Sequence, residues 1–331
     1  MPNSVMSRRT VLRLAGAALA AALATGTISH AQPRSTPLRV ILPLSPGSGV
    51  DVIFRSAQSA LSNALGGQPV VVDNIPGAGG IIGTQALVRA APDGNTIGVI
   101  SNNHAVNPSL YREMPYDSLA DIAPISIVGG SPFVLVTNPD KLPASNAREL
   151  QTLLKARPGD YNYGSSGTGT IIHLAGAMFL DAVGGEAEHI PYKGLGPMIV
   201  DILGGQTDLG ASAVAAVQGQ IRSGALRAIG VMGKQRINWL PELPTFAEQG
   251  FPEIDVSGWF AVIGPKGMPQ EEVERLNRAI SEAFNDPGVK AGFAQRDDYL
   301  SLTTPQETGE FLAAEQARYA DLVHKIGIPV N

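Results

Sequence analysis

Residues 38–51 read Leu38-Arg39-Val40-Ile41-Leu42-Pro43-Leu44-Ser45-Pro46-Gly47-Ser48-Gly49-Val50-Asp51. The first five form an apolar, β-branched run of the kind found in a buried strand. Pro43 breaks the run, and Ser45 to Gly49 supplies turn residues. Beyond them, Val50, Phe54, Ala57, Leu61 and Leu65 recur at helical spacing over 50–65. A strand, a small-residue loop and a helix start together make an anion cradle. Loop N–H groups and the unpaired donors of the first helical turn converge, and the helix dipole adds partial positive charge. The reading is of a protein that holds a small anion and does no chemistry on it.

The same unit recurs. Strand 69–73 leads through Pro76-Gly77-Ala78-Gly79-Gly80 into a helix over 81–89, and strand 96–100 ends in the polar loop Ser101-Asn102-Asn103-His104. After a strand at 134–136 and a helix at 147–156, strand 161–163 runs into Gly164-Ser165-Ser166-Gly167-Thr168-Gly169-Thr170, followed by a helix over 171–183. Further strands are expected at 188–192, 207–213, 226–231 and 256–263, with helices at 198–203 and 269–284. Thr304-Pro305-Gln306-Glu307 has capping-box spacing, and Gly327 stops the last helix after Ile326. Strands alternating with helices predict an α/β fold with mainly parallel sheets. The length suits two such units with a ligand between them.

Composition narrows the function. Hydrophobic residues at 44% and charged residues at 16% describe a packed globular chain and not a disordered one. The sequence has no cysteine, which excludes disulfides, thiolate metal sites, thiol catalysis and a lipobox anchor. Residues 1–31 read as an export signal. Arg8, Arg9 and Arg13 precede an apolar stretch over 14–23 that is too short to span a bilayer, and Ser29-His30-Ala31 is a small-x-small cleavage site. Ser7 to Arg13 resembles the twin-arginine signal, with Val11 where Phe or Leu is usual; an ordinary Sec signal is the alternative. Removing this segment leaves 21 Lys and Arg against 29 Asp and Glu, a net charge of −8. That surface argues against nucleic-acid and anionic-membrane partners. An anionic ligand must then be held by local dipoles.

Many short motifs now stand in a recognisable order: Pro46-Gly47 and Asp51; Gln68-Pro69-Val70-Val71-Val72; Pro76-Gly77-Ala78-Gly79-Gly80; Ala91-Pro92-Asp93-Gly94; His104-Ala105-Val106-Asn107-Pro108; Tyr163 through Leu174; Pro191-Tyr192-Lys193-Gly194; Leu203-Gly204-Gly205-Gln206; Leu243-Pro244-Thr245; Trp259-Phe260. In this the chain resembles, from about Leu38 to Ile328, the periplasmic solute receptors of tripartite tricarboxylate transporters, the Bug or TctC-like family. The resemblance implies a type II periplasmic binding protein fold, with two α/β lobes joined by two crossing strands and a ligand cleft between them. Lobe 1 would be residues 37–137 plus 257–331, and lobe 2 residues 138–256. It also implies a monomer in the periplasm that captures a small organic carboxylate and hands it to membrane transporter subunits, without cofactor or metal. The family's first loop usually reads Pro-Phe-x-Pro-Gly-Gly-x-Thr-Asp. Here Leu44 replaces the aromatic, Ser48 the second glycine and Val50 the threonine.

The expected ligand contacts are Leu44, Ser48 and Gly49 in the first loop, His104 after the third strand, Ser165, Ser166 and Thr168 in the second loop, and Ser212 near the end of strand 207–213. Asp51 and Thr170 are expected to organise the two loops; a carboxylate at position 51 would repel an anion and suits a helix N-terminus. Gly77, Gly79 and Gly83 mimic a dinucleotide fingerprint but read as tight-turn packing. His104, His173, His189 and His324 have no metal-ligand spacing. His173 reads as a structural partner and Trp259 as core near the hinge. A receptor that reports its ligand to a membrane sensor kinase is one alternative role. A secreted α/β enzyme is another, disfavoured because there is no G-x-S-x-G elbow, metal cluster or complete cofactor fingerprint.

Overall fold

The computed structural model describes residues 35–328. The export signal and cleavage motif read over 1–31 lie outside them. The opening run forms β1 (Leu38–Leu42), buried except for Arg39. It pairs in parallel with β2 (Val70–Asn74) on one side and β3 (Thr96–Ser101) on the other, Val40 facing Val72 and Ile97. Helix α1 (Gly49–Ala64) connects β1 to β2 and buries Val50, Ile53, Phe54, Ala57 and Leu61. The face packs on α8 (Gln270–Phe284), with the Phe54 and Phe284 rings 6.2 Å apart. Each of the larger apolar side chains contributes roughly 1.5–3 kcal/mol by leaving water. Helix α2 (Ile81–Val88) lies against the first loop because Gly83 carries no side chain: a Cβ there would sit 2.5 Å from the Ile75 carbonyl oxygen and 2.8 Å from Pro43 Cα.

The polar stretch at 101–104, expected to be a loop, instead opens a helix, α3 (Asn102–Leu110), directly from the end of β3. Next come β4 (Ile122–Gly130) and β5 (Phe133–Thr137). The remaining elements are α4 (Ala147–Ala156), β6 (Asn162–Ser165), α5 (Ile171–Val183), β7 (Glu188–Pro191), α6 (Leu195–Leu203), β8 (Leu209–Ala213), α7 (Val214–Arg222) and β9 (Arg227–Val231). After these the chain returns to β10 (Phe260–Pro265), α8, α9 (Pro287–Gln295), the two-residue β11 (Tyr299–Leu300) and α10 (Pro305–Ile326). Thr304 and Glu307 form the capping box of α10, and Gly327 ends it with φ of 71°.

Two sheets result, one per lobe. Their orders are β11-β4-β10-β3-β1-β2 and β7-β6-β8-β5-β9. The expectation of mainly parallel sheets is wrong. Of the nine strand pairings among the described residues, four are parallel and five antiparallel. Four of the five antiparallel pairings come from the crossing between lobes, and the fifth is β11 against β4. The chain enters the second sheet as β5, between β8 and β9 and antiparallel to both. It re-enters the first as β10, between β3 and β4 and antiparallel to both. Because β5 belongs to the second sheet, the outward passage falls at residues 131–132, ahead of Thr137. The two crossing segments bond to each other: Ser131 N–H donates to the Gly258 carbonyl (3.1 Å) and Gly258 N–H to the Ser131 carbonyl (2.8 Å).

Asn102 locks this crossing to lobe 1. Its amide donates to the Ser257 carbonyl (3.0 Å) and the Tyr319 hydroxyl (2.8 Å), and its carbonyl accepts from Trp259 N–H (3.0 Å). Trp259 is core beside the crossing, its indole N–H donating to Glu315 at 2.7 Å. Helix α10 contributes to both lobes. Tyr319 and Val323 join an apolar cluster that also contains Ile100 and Leu110 from lobe 1 and Val134, Leu174 and Phe179 around the second sheet. Lys325 pairs with Asp181 on α5 at 2.8 Å.

Candidate functional site

The first loop is held from beneath by Asp51. Its buried carboxylate accepts from Gly47 N–H (2.9 Å), Arg55 Nε (2.9 Å) and Asn74 Nδ2 (3.0 Å), so one side chain ties the loop to α1 and to the end of β2. Ser48 is the N-cap, its hydroxyl accepting from Asp51 N–H. With Asp51 N–H so capped, the N–H groups of Gly49 and Val50 have no acceptor within the helix or among the other described residues. Gly49 is exposed and Ser48 half-buried. Burial pushes the Asp51 pKa up, but the Gly47, Asn74 and Arg55 hydrogen bonds and the Arg55 charge outweigh it and set it below its ordinary 3.8. A depressed carboxyl contributes stability above its unfolded value that is lost as pH falls through the folded value. The stability advantage of wild type over Asp51→Asn, measured by urea melts, should therefore be steady at pH 5–7 and shrink below about pH 4. A pH-independent difference would count against an ionised Asp51 network.

The second loop, residues 164–170, precedes α5. Thr170 is its N-cap: Oγ1 accepts from His173 N–H, donates to the Gly167 carbonyl (2.8 Å) and accepts from Ser166 Oγ (3.0 Å). Ser165 is fully buried, its Oγ accepting from Gly167 N–H at 3.1 Å. Ser166 is half-buried and Thr168 exposed, and the N–H groups of both have no described acceptor.

Helix α3 joins the two loops. Asn103 lines a cavity of about 10 Å³ with Pro43, Leu44, Gly79, Gly80, Thr84, His104 and Asn107, on the first-loop side. Its Oδ1 also accepts from Ile171 N–H (3.0 Å), the first donor of α5 in the other lobe. At the far end of α3, Leu110 approaches Gly169 so closely that a Cβ there would lie 2.9 Å from Leu110 Cδ1; with φ of +77° that position takes glycine on both counts. Asn102 and Asn103 were read as loop polar residues in the sequence, and their bridging roles were not foreseen. Their partners lie 68 to 217 residues away.

His104 is buried on α3. Its Nε2 lies 2.7 Å from the Ser118 carbonyl, which can only accept, so the ring proton is on Nε2 and Nδ1 is a bare acceptor. Burial, opposed by the Ser118 bond, lowers its pKa to about 4, so the ring is neutral near pH 7. Ser212, the penultimate residue of β8, is fully buried, its hydroxyl donating to the Ala213 carbonyl at 3.3 Å, and it bonds to none of the other candidates. A larger hollow of about 680 Å³ lies elsewhere, between the crossing segments and α10, with Lys234, Asp255, Trp259 and Arg318 in its wall. Most of its charged groups are paired, Lys234 with Asp255, Arg236 with Glu248, Asp298 with Arg296 and Arg318 with Glu315, and Asp297 accepts from the Asn238 and Trp239 N–H groups. No cluster of metal-ligating side chains occurs among the described residues.

Two loops that lead into helices and present uncommitted N–H donors are the geometry of an anion binder. The model of the tripartite tricarboxylate transporter family receptor matches residues 53–328. The chain belongs to that family. BugT of Bordetella pertussis (strain Tohama I) is 39% identical over 324 residues, 97% of this chain and 99% of that protein. The structure of the periplasmic binding protein BugD matches with a TM-score of 0.81 at 30% identity, covering 88% of this chain and 98% of that one. Rpa4515 of R. palustris, solved with adipate, matches with a TM-score of 0.82 at 28% identity over 88% and 98% of the two chains. This family receptor is thus a two-lobed solute-binding protein and not an enzyme. No described helix of the receptor is long and apolar enough to cross a membrane.

Proposed function

We propose that this receptor captures a small organic carboxylate in the periplasm, as a monomer, and delivers it to the membrane subunits of a tripartite tricarboxylate-type transporter. One observation carries the reading. The loops at the carboxyl ends of β1 and β6 each lead into a helix and carry uncommitted N–H donors, Gly49 and Val50 at the first and Ser166 and Thr168 in the second, while Asn103 reaches from the cavity beside the first to Ile171 after the second. Preformed donors at helix starts suit a carboxylate without need of Lys or Arg, which neither loop contains. Ser48, Gly49, Ser166 and Thr168 are the contacts, with Leu44 and His104 on the cavity wall; buried Ser165 holds the second loop through Gly167, and buried Ser212, its hydroxyl bonded to Ala213, is not among the contacts. With β5 in the second sheet, lobe 1 is taken as residues 37–131 plus 257–331 and lobe 2 as 132–256, in place of the expected boundary at 137. Adipate bound to the related Rpa4515 supports the ligand class.

A thermal-shift panel of dicarboxylates, citrate-like acids, aromatic acids and amino acids tests this. A ligand at a hundred times its dissociation constant stabilises the fold by about 2.7 kcal/mol. A carboxylate in the panel is therefore expected to raise the melting temperature by several degrees. Stabilisation by the corresponding alcohols or amides as large as by the acids would overturn the carboxylate assignment.

A further inference from the structure

The second loop rests on two stacked imidazoles. His173, on the first turn of α5, and His189, on β7, have ring centroids 3.8 Å apart and planes inclined by 9°. Tyr163 on β6 closes the stack, 5.0 Å from His189 and 6.1 Å from His173. Each imidazole turns one nitrogen to the loop. Gly169 N–H donates to His173 Nδ1 at 3.1 Å. His189 Nε2 lies 2.7 Å from Ser165 Oγ, which accepts from Gly167 N–H and donates to the Gly167 carbonyl, both at 3.1 Å, so the imidazole donates to the serine. The loop is pinned inward at residues 165, 167 and 169. Ser166 and Thr168 alternate with these and are left facing outward, half-buried and exposed, with their N–H groups free.

We propose that His173 and His189 are positioning residues that hold loop 165–170 in its donor-presenting shape, and that the hold lasts only while the His173 ring is neutral. The inference rests on the reading of this loop as a ligand loop. A backbone N–H can only donate, so His173 Nδ1 must be unprotonated and its proton must sit on Nε2. A proton added at Nδ1 would set donor against donor at Gly169, and the loop must then let go. The stack makes the rings interdependent, because a charge on one opposes a charge on the other at 3.8 Å. Burial, then the neighbouring His189, lowers His173 to about 4; burial lowers His189. The titratable groups facing the pair are few. From β6 comes Tyr163, pushed up to about 12 by burial and therefore neutral. The α3 helix contributes the uncharged Asn103, and α10 contributes Lys325, which is paired with Asp181 two turns further along α5. Among the described residues, no Asp, Glu, Lys or Arg forms a hydrogen bond or ion pair with either ring.

The test uses the full protein without ligand, by ¹H–¹⁵N magnetic resonance of the two imidazoles and of the Gly169 amide. At pH 7 the His173 ring should show the Nε2–H form. On acidification the Gly169 amide signal should move in step with the His173 ring. His173→Asn keeps an acceptor near the Nδ1 position and cannot charge, so there the Gly169 signal should cease to titrate while the amide stays protected. His173→Leu removes the acceptor, and Gly169 should exchange with solvent at least tenfold faster than in wild type at pH 7. A proton on His173 Nδ1 at pH 7, or a Gly169 amide that ignores the His173 titration, would overturn the proposal. The tautomer is read on wild type, so the result stands even if the Leu variant does not fold. None of these signals depends on a bound carboxylate. A failed ligand panel with a titrating Gly169 would overturn the ligand assignment alone, and the reverse pattern the positioning role alone.

Discussion

Asn102→Leu should lower the unfolding free energy by about 3 kcal/mol. Asn102 is 1% exposed, and its amide serves three groups that meet nowhere else: the Ser257 carbonyl, Trp259 N–H and the Tyr319 hydroxyl. The hydroxyl keeps a second partner in Arg318. The two backbone groups do not, and each buried polar group left dry costs about 1–3 kcal/mol. Leucine matches asparagine in branching and is bulkier, so no cavity opens and the loss comes from the hydrogen bonds removed. Urea unfolding of both proteins measures it. A difference below about 1 kcal/mol would mean that the crossing segment finds other partners.

The next residue along should behave in the opposite way. Asn103→Asp is expected to keep or slightly raise stability while weakening carboxylate binding about a hundredfold. Asn103 Oδ1 already accepts from Ile171 N–H at 3.0 Å. A carboxylate there preserves the bond and adds a negative charge at a helix N-terminus, worth about 0.3–1 kcal/mol. A bound carboxylate on the second loop would face that charge. At a separation of about 5 Å and an effective dielectric constant of about 20, the repulsion is about 3 kcal/mol, roughly two powers of ten. Calorimetry with the acid identified in the panel, beside a melt of the variant, reads both signs. Unchanged affinity would place the ligand's charge away from the first turn of α5.

The contrast between these neighbours shows where sequence reading works. Local chemistry was legible where it acts locally. The strand at Leu38–Leu42, the helix at Ile171–Val183 and the capping box at Thr304 follow from periodicity, turn residues and capping spacing, and the structure has each of them. The nine-residue β4 was not foreseen, because Pro124 interrupts it and its last six residues are all buried, leaving no alternation to read. The α3 helix was hidden by two asparagines at its start and by Pro108 near its end, all poor helix formers. Helices α7 and α9 were likewise missed; neither has a wide apolar stripe, each burying only two residues. Strand direction was the larger omission. Nothing in Phe260–Pro265 says that it inserts between β3 and β4 and runs against both. For the site, the small-residue loops could be read directly, since glycine and hydroxyl density at a helix start is a local signal. The groups that connect the loops could not, because Asn103 and the His173–His189 stack acquire meaning only from partners brought by the fold.

The inserted β10 also fixes an order of events during synthesis. A nascent chain that has just passed Val231 already contains all five strands of the second sheet. Of the first sheet it holds β1, β2, β3 and β4, but not the strand that lies between the last two. One sheet can therefore close while the other still shows two open edges, with their backbone donors and acceptors unmet. About another tenth of the chain, as far as Pro265, must emerge before those edges are filled, and the lobe begun first is the lobe finished last.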